Sequence, residues 1–243
     1  MTNSPTATIE RAAHCRRAEL TDSDITEMRA LLDQHFDGVT PHQFQADLRD
    51  KSDVLRVWKD GQLVGFSTLL AYREEVDGEG FNVLFSGDTI MAPECWGSPV
   101  LARGWIVMVK AVKASMPAGR CFWLLLSAGF RTYRFLPVFW RNFWPRYDLH
   151  MPKEISRLRD EIAHRRFGSH YDANAGVMRF PMPHRLRGLL AVVPAGRVAD
   201  PHVAFFMAQN HGWRAGDELV CLTEIADENL TAAGRRMIRG LPS

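Results

Sequence analysis

The stretch FNVLFSGDTIMAPECWGSPVL, Phe81 to Leu101, decides how this chain is read. Phe81 to Met91 forms a β segment whose turn is marked upstream by Gly78 and Gly80. Beyond Pro93 and Gly97 the period changes: Leu101, Trp105, Met108, Val112 and Met116 share one helical face, and Pro117 and Gly119 end it. A strand running into a long helix is the centre of an α/β unit. Upstream, Val54 to Lys59 and Gln62 to Tyr72 flank Asp60-Gly61, a pair that accepts the positive φ angles of a type I′ turn, so the two runs predict an antiparallel hairpin. Downstream, Cys121 to Leu126 reads as a buried strand.

Further from the centre, Thr21 and Asp24 supply an N-cap and an acidic first turn for a helix carrying Ile25, Met28, Leu32 and Phe36, closed by Gly38. Thr40-Pro41-His42-Gln43 has the pattern of a capping box with proline at the first helical position and opens a second helix through about Arg49. Before them a strand is expected near Cys15 to Leu20, after a lead-in over residues 1–14. The second half predicts an aromatic stretch from Tyr133 to Tyr147, a charged helix from about Pro152 to Arg166, a glycine-rich loop at 168–176, a helix from Asp200-Pro201 to Gly212, a strand over Asp217 to Ile225 and a terminal helix marked by Leu230, Ala233 and Met237.

The chain has 243 residues, 46% hydrophobic and 24% charged, which suits one large core with an addition. Its net charge of +2 gives no general field for nucleic acid. No apolar run approaches the length that spans a bilayer and Met1 to Glu10 is polar, so the expected compartment is the cytoplasm. Cys15, Cys95, Cys121 and Cys221 lie far apart and read as reduced thiols. His150, His170 and His211 lack a ligand spacing, so no metal is expected.

Over Cys15 to Ser127 the order of strand, two helices, hairpin, strand, long helix and strand resembles the GNAT (GCN5-related N-acetyltransferase) superfamily. Gly65-Phe66 in the hairpin, Asp88-Thr89-Ile90-Met91-Ala92-Pro93-Glu94, and Gly97 before a helix look like that family's strand four and pyrophosphate loop. The resemblance implies a mixed, mostly antiparallel central sheet flanked by helices, with an α-rich insertion or C-terminal extension. It divides the chain into a core over 15–127, an aromatic and helical insertion over 128–199 that shapes the acceptor pocket, and a helix-strand-helix over 200–243 that completes the core. Two segments compete for the family's helix after strand five: Tyr133 to Tyr147, and Phe205 to Trp213 followed by its strand.

The activity implied is direct transfer of an acyl group from a thioester, acyl-CoA or an acyl-phosphopantetheine carrier protein, to a small amine or amino-acid-like acceptor. The alternative is a non-catalytic module that binds such a thioester or carrier. Strands four and five splay apart in the family, so Thr89, Ile90, Met91 and Ala92 become the pantetheine edge. Gly97, Ser98, Val100 and Leu101 become the phosphate end, where helix N–H groups suit an anion. The loop departs from the family's Arg/Gln-x-x-Gly-x-Gly/Ala pattern: it keeps one glycine, with Trp96 near the basic position, and this leaves CoA and a carrier protein both open as donors.

Acyl transfer needs a base for the amine proton, an acid for the departing thiolate and donors for the oxyanion. Asp88 is the candidate base and Tyr133 the candidate acid. Each has a plainer reading, Asp88 as a turn anchor and Tyr133 as a core residue among Phe135, Phe139 and Trp140. Glu94 reads as solvated and Cys95 as an inert thiol. Arg131, Arg134, Arg141 and Arg146 interleave with aromatics, a mixture that suits single-stranded nucleic acid, stems laid over an apolar helix or the acidic face of a carrier protein; the near-neutral chain speaks against the first.

Overall fold

A computed structural model describes residues 10–239. The chain opens with β1 (Glu10–Arg16), α1 (Asp22–His35) and α2 (Pro41–Arg49), then β2 (Asp53–Lys59), β3 (Gln62–Val76) and β4 (Glu79–Met91). The helix α3 (Val100–Ala114) leads to β5 (Cys121–Ser127). After α4 (Lys153–Phe167) and α5 (Pro201–Gln209) come β6 (Glu218–Glu224) and α6 (Ala232–Met237).

Local chemistry sets the ends of these elements. Thr21 Oγ1 accepts from Asp24 N at 3.2 Å while Asp24 Oδ2 accepts from Thr21 N at 3.0 Å, a closed capping box on α1. Thr40 caps α2 through Gln43 N at 3.2 Å, but the box is not closed: the Gln43 side chain is turned to Met182 O, to which its Nε2 donates at 3.3 Å, and its Oε1 does not accept from Thr40 N. Asp60 and Gly61 have φ of 50° and 84°, the left-handed pair expected of the hairpin turn. A second such pair, Asp77 and Gly78 at 54° and 79°, turns β3 into β4, so β3 runs to Val76, past the expected end at Tyr72.

The main sheet runs β1-β2-β3-β4-β5-β6 and continues into the short strands Val177–Met178 and Tyr171–Asp172. All neighbours are antiparallel except β4 and β5, joined in parallel through the α3 crossover. β6 pairs directly with β5, Leu219 opposite Ser127 through Glu224 opposite Phe122, so residues 128–217 form an excursion between two sheet neighbours. The aromatic stretch breaks into short helices, Phe130–Tyr133 and Phe135–Phe139, and a two-residue strand, Phe143–Trp144, against β6.

The first strand differs from expectation. It begins at Glu10 and ends at Arg16, while Arg17–Glu19 is a 3-10 turn; residues 1–9 of the expected lead-in lie outside the described residues. At the sheet's edge β1 shows no clean alternation, so its sequence carries little signal; pairing with β2, Cys15 opposite Val54, fixes it.

Successive side chains of the inner strands go to opposite layers, as the pleat demands. Leu84, Trp123, Leu125, Leu219 and Cys221 pack with α3, where Trp105 meets Trp123 at 4.1 Å. Val83, Phe85, Phe122, Leu124, Val220 and Leu222 pack against α4. Beside α4 on that second face, α1 and α2 close over Val54, Phe66 and Ile90.

Candidate functional site

β4 and β5 are hydrogen-bonded only from Asn82 opposite Cys121 to Ser86 opposite Leu125. Beyond Ser86, β4 keeps β3 as its one partner, with Ser67 opposite Thr89, Phe66 opposite Ile90 and Gly65 opposite Met91. The divergence coincides with a β-bulge. Because Leu69 faces Ser86 and Ser67 faces Thr89, Thr68 stands alone against both Gly87 and Asp88. An extra residue bends and twists the bulged strand, and here that occurs at the end of the β4–β5 pairing. Gly87 allows a close approach: a Cβ there would lie 2.4 Å from Lys51 Cε and 2.6 Å from Thr68 Oγ1.

Backbone direction alternates along a strand. Ala92 N donates to Val64 O at 2.8 Å, so Ala92 turns toward β3, and Met91 and Thr89 present their backbone groups on the open side. The indole N–H of Trp96 reaches Met91 O at 2.9 Å from that side. Thr89 and Met91 thus turn their backbone groups to the opening, whereas Ile90, which also borders the cavity, and Ala92 are buried and turn theirs toward β3.

The opening leads into a cavity of about 930 Å³, walled by α1, α2, the end of β4, the residues after β5 and the covering segment 180–197. Asp88 projects from the bulge with its side chain 20% exposed, and His184 Nδ1 stands 4.0 Å from its Oδ1. His184 Nε2 is buried with no partner among the described residues. Burial holds the Asp88 carboxyl above the ordinary carboxylate range despite nearby His184 and Lys51. Glu218, at the start of β6, is pushed up to about 8 by burial and then by the neighbouring carboxylates Asp88 and Asp47. Burial lowers the Lys51 ammonium, against the pull of Asp88, Asp47 and Asp50; its Nζ donates to Asp47 O at 2.8 Å. Three carboxyls with raised affinity for protons, Asp88, Glu218 and Asp47, a depressed ammonium and an imidazole therefore meet where the sheet opens, the kind of cluster that exchanges protons near neutral pH.

Tyr133 does not join them. It is fully buried, its hydroxyl donates to Pro145 O at 2.9 Å, and burial drives its proton affinity further up, so it stands as a core residue. Of the expected phosphate residues, Ser98 and Leu101 border the cavity. Ser98 N donates to Cys95 O at 3.0 Å, and Ser98 Oγ accepts from Val100 N at 3.2 Å while bonding the Glu10 carboxylate. Gly97 and Val100 do not border the cavity. Burial also holds the Cys95 thiol above its ordinary value.

Glu218, His184 and Lys51 carried no sequence signal that singled them out. The one local hint is Glu218 itself, an acid heading the apolar run Leu219 to Leu222. Among the described residues no group of three or more His, Cys, Asp or Glu side chains is arranged to hold a metal, and no helix is long and apolar enough to cross a membrane.

No protein-family model matches the sequence, and no curated protein matches it. Among solved structures the chain is similar to a GNAT family N-acetyltransferase from Escherichia coli in complex with CoA, at 18% identity and a TM-score of 0.39 over 56% of this chain and 71% of that one. It is similar to an acyl-CoA N-acyltransferase from Pseudomonas aeruginosa, at 22% identity and a TM-score of 0.32 over 48% and 79%. A third likeness, at 15% identity and a TM-score of 0.40 over 52% of this chain, is to a conserved Enterococcus faecalis V583 protein described as a probable N-acyltransferase, of which this chain spans 31% of the length. These likenesses are too distant to carry an activity across. The fold rests on the chain's own strand order: an antiparallel β1–β4 run, an α3 crossover and a parallel β5 that leaves β4 halfway along make it GNAT-like.

Proposed function

We propose that the chain is an N-acyltransferase that moves an acyl group from a thioester, acyl-CoA or a carrier-bound acyl-phosphopantetheine, directly to a small amine. The observation that supports this most is the juxtaposition at the bulge. A strand edge with free backbone groups runs beside a cavity of about 930 Å³, and proton-binding carboxyls stand at the point of divergence. The pantetheine arm lies along Thr89 to Met91, pairing with main-chain groups that β5 leaves free. The thioester carbonyl then sits near Gly87 and Asp88.

The amine nitrogen attacks the carbonyl carbon, the C–S bond breaks, and the proton lost by nitrogen ends on the departing sulfur, giving an amide and a free thiol. Asp88 and Glu218 take and relay that proton. A carboxyl raised toward neutrality suits the task, since it accepts a proton from an ammonium and returns it to a thiolate. Lys51 and His184 balance the charge on Asp88. Tyr133 has no part in this scheme.

The test is incubation with a panel of acyl-CoAs and acyl carrier proteins, with and without amine acceptors, while free thiol is followed. Amine-dependent thiol release supports transfer. Donor binding without release, in every combination, favours the non-catalytic alternative, and absence of both removes the thioester reading.

A further inference from the structure

A phosphopantetheine-type donor brings a phosphate, and the place where a GNAT-like chain would receive it is occupied here. At the start of α3, Ser98 accepts from Val100 N and bonds the Glu10 carboxylate, so an acid already neutralises the helix end. Pro99 contributes no N–H, and Trp96, its indole fixed on Met91 O, stands over the loop. A phosphate entering there would meet a carboxylate.

On the cavity side of this loop the balance is reversed. The Arg131 guanidinium lies 4.0 Å from the Trp96 ring centroid, and its Nη1 donates to Leu190 O and Val192 O, each at 3.3 Å. Carbonyls are neutral acceptors, so the charge is not cancelled; burial lowers the Arg131 guanidinium and, among the described residues, no neighbouring carboxylate offsets it. The same bonds fix the covering segment, whose continuation carries Arg197 to the wall of the cavity. Arg134 differs, because Asp200 already pairs with it at 3.1 Å.

We propose that Arg131 and Arg197 form the seat of the donor's phosphate, replacing the N-terminus of α3. The proposal rests on the thioester-donor reading above and adds which end of the cavity receives the anion. The phosphate is common to CoA and to a carrier-bound arm. Guanidinium–phosphate pairs are planar and bidentate, and Arg131 is restrained by its contact with the indole and by two carbonyls.

The experiment is calorimetric titration of the full chain with 4′-phosphopantetheine and with pantetheine, which differ only by the phosphate. Charge-assisted bonds predict that the phosphorylated form binds about tenfold to hundredfold tighter. Arg197→Gln and Arg131→Gln should each shrink that ratio and the double variant should bring it near unity, with pantetheine affinity held; unchanged pantetheine binding shows that the cover is intact. A ratio that survives in the double variant overturns the proposal, as does a wild-type ratio of one. Tightening of phosphopantetheine binding by Glu10→Gln, with the arginine variants silent, would return the phosphate to α3 and overturn it as well. Binding of neither compound removes the donor reading together with the seat, whereas a phosphate-dependent ratio without amine-dependent turnover supports the seat and leaves only catalysis in default. Titrations with CoA and with a holo acyl carrier protein then distinguish the phosphate's source by which binds tighter than phosphopantetheine itself.

Discussion

The two halves of β4 have opposite tasks. From Asn82 to Ser86 the strand is paired on both sides, its Val83, Leu84 and Phe85 filling the layers above and below the sheet. Side chains tie this half down further: Asn82 Nδ2 donates to Pro117 O at 2.8 Å and Trp123 Nε1 to Ser86 Oγ at 2.9 Å. From Gly87 to Met91 the same strand is paired on one side only and borders the cavity. An isolated open edge would be a liability; one that continues a doubly paired strand is anchored by the buried half, and a single bulge separates the two. The closed half should therefore respond to substitution in stability and the open half in chemistry.

The largest expected effect breaks chemistry alone. Asp88→Asn should reduce amine-dependent thiol release by about 10²–10⁴-fold, the usual range for losing a general base, while donor affinity and the melting temperature stay near wild type. Unchanged turnover would remove Asp88 from the mechanism. In the closed half, Leu84→Ala should cost about 2–5 kcal/mol in denaturant unfolding, since a fully buried leucine leaves a cavity between sheet and α3. A small loss there would mean that the buried half does not anchor the strand.

Glu218 links the halves through pH. Burial pushes its carboxyl up to about 8 in the fold, against about 4.5 in an unfolded chain, so the native state binds more protons between those values. Stability should decline as pH rises through that window, and Glu218→Gln should flatten the decline in melting curves taken across it. Transfer should show the opposite trend, with kcat/KM rising as the carboxyl ionises. The smallest effect is expected from Tyr133→Phe: about 1–3 kcal/mol of stability for the unpartnered Pro145 carbonyl, with turnover unchanged. Loss of turnover in that variant, with stability intact, would restore Tyr133 as the acid.

What was legible in the sequence follows the range of the forces involved. The hairpin at Asp60-Gly61, the cap at Thr21 and the apolar face of α3 are written within a few residues, and all are found where the local pattern predicts. The local pattern ends β3 early because charged residues over Arg73 to Glu75 hide a pairing with Phe81, Asn82 and Gly80 that only the folded register reveals. β1, an edge strand without clean alternation, is likewise fixed only by its pairing with β2. The opening beside Thr89 is what the family resemblance implies, and the end of the β4–β5 pairing at Ser86 agrees with it. The cluster around it has no such signal: Lys51, His184 and Glu218 come from three separate parts of the chain, and the perturbed proton affinities of Lys51 and Glu218 arise first from burial. Tyr133 shows the converse, an amphipathic residue whose hydroxyl looks available until the fold supplies Pro145.

The central claim is that the half of β4 beyond the bulge receives the donor, and hydrogen–deuterium exchange with and without acyl-phosphopantetheine tests it most directly. Amides at Thr89 and Met91 should gain protection on binding while those from Asn82 to Ser86, already paired, stay as they were. Protection that leaves Thr89 and Met91 untouched, with the donor bound, would contradict the account.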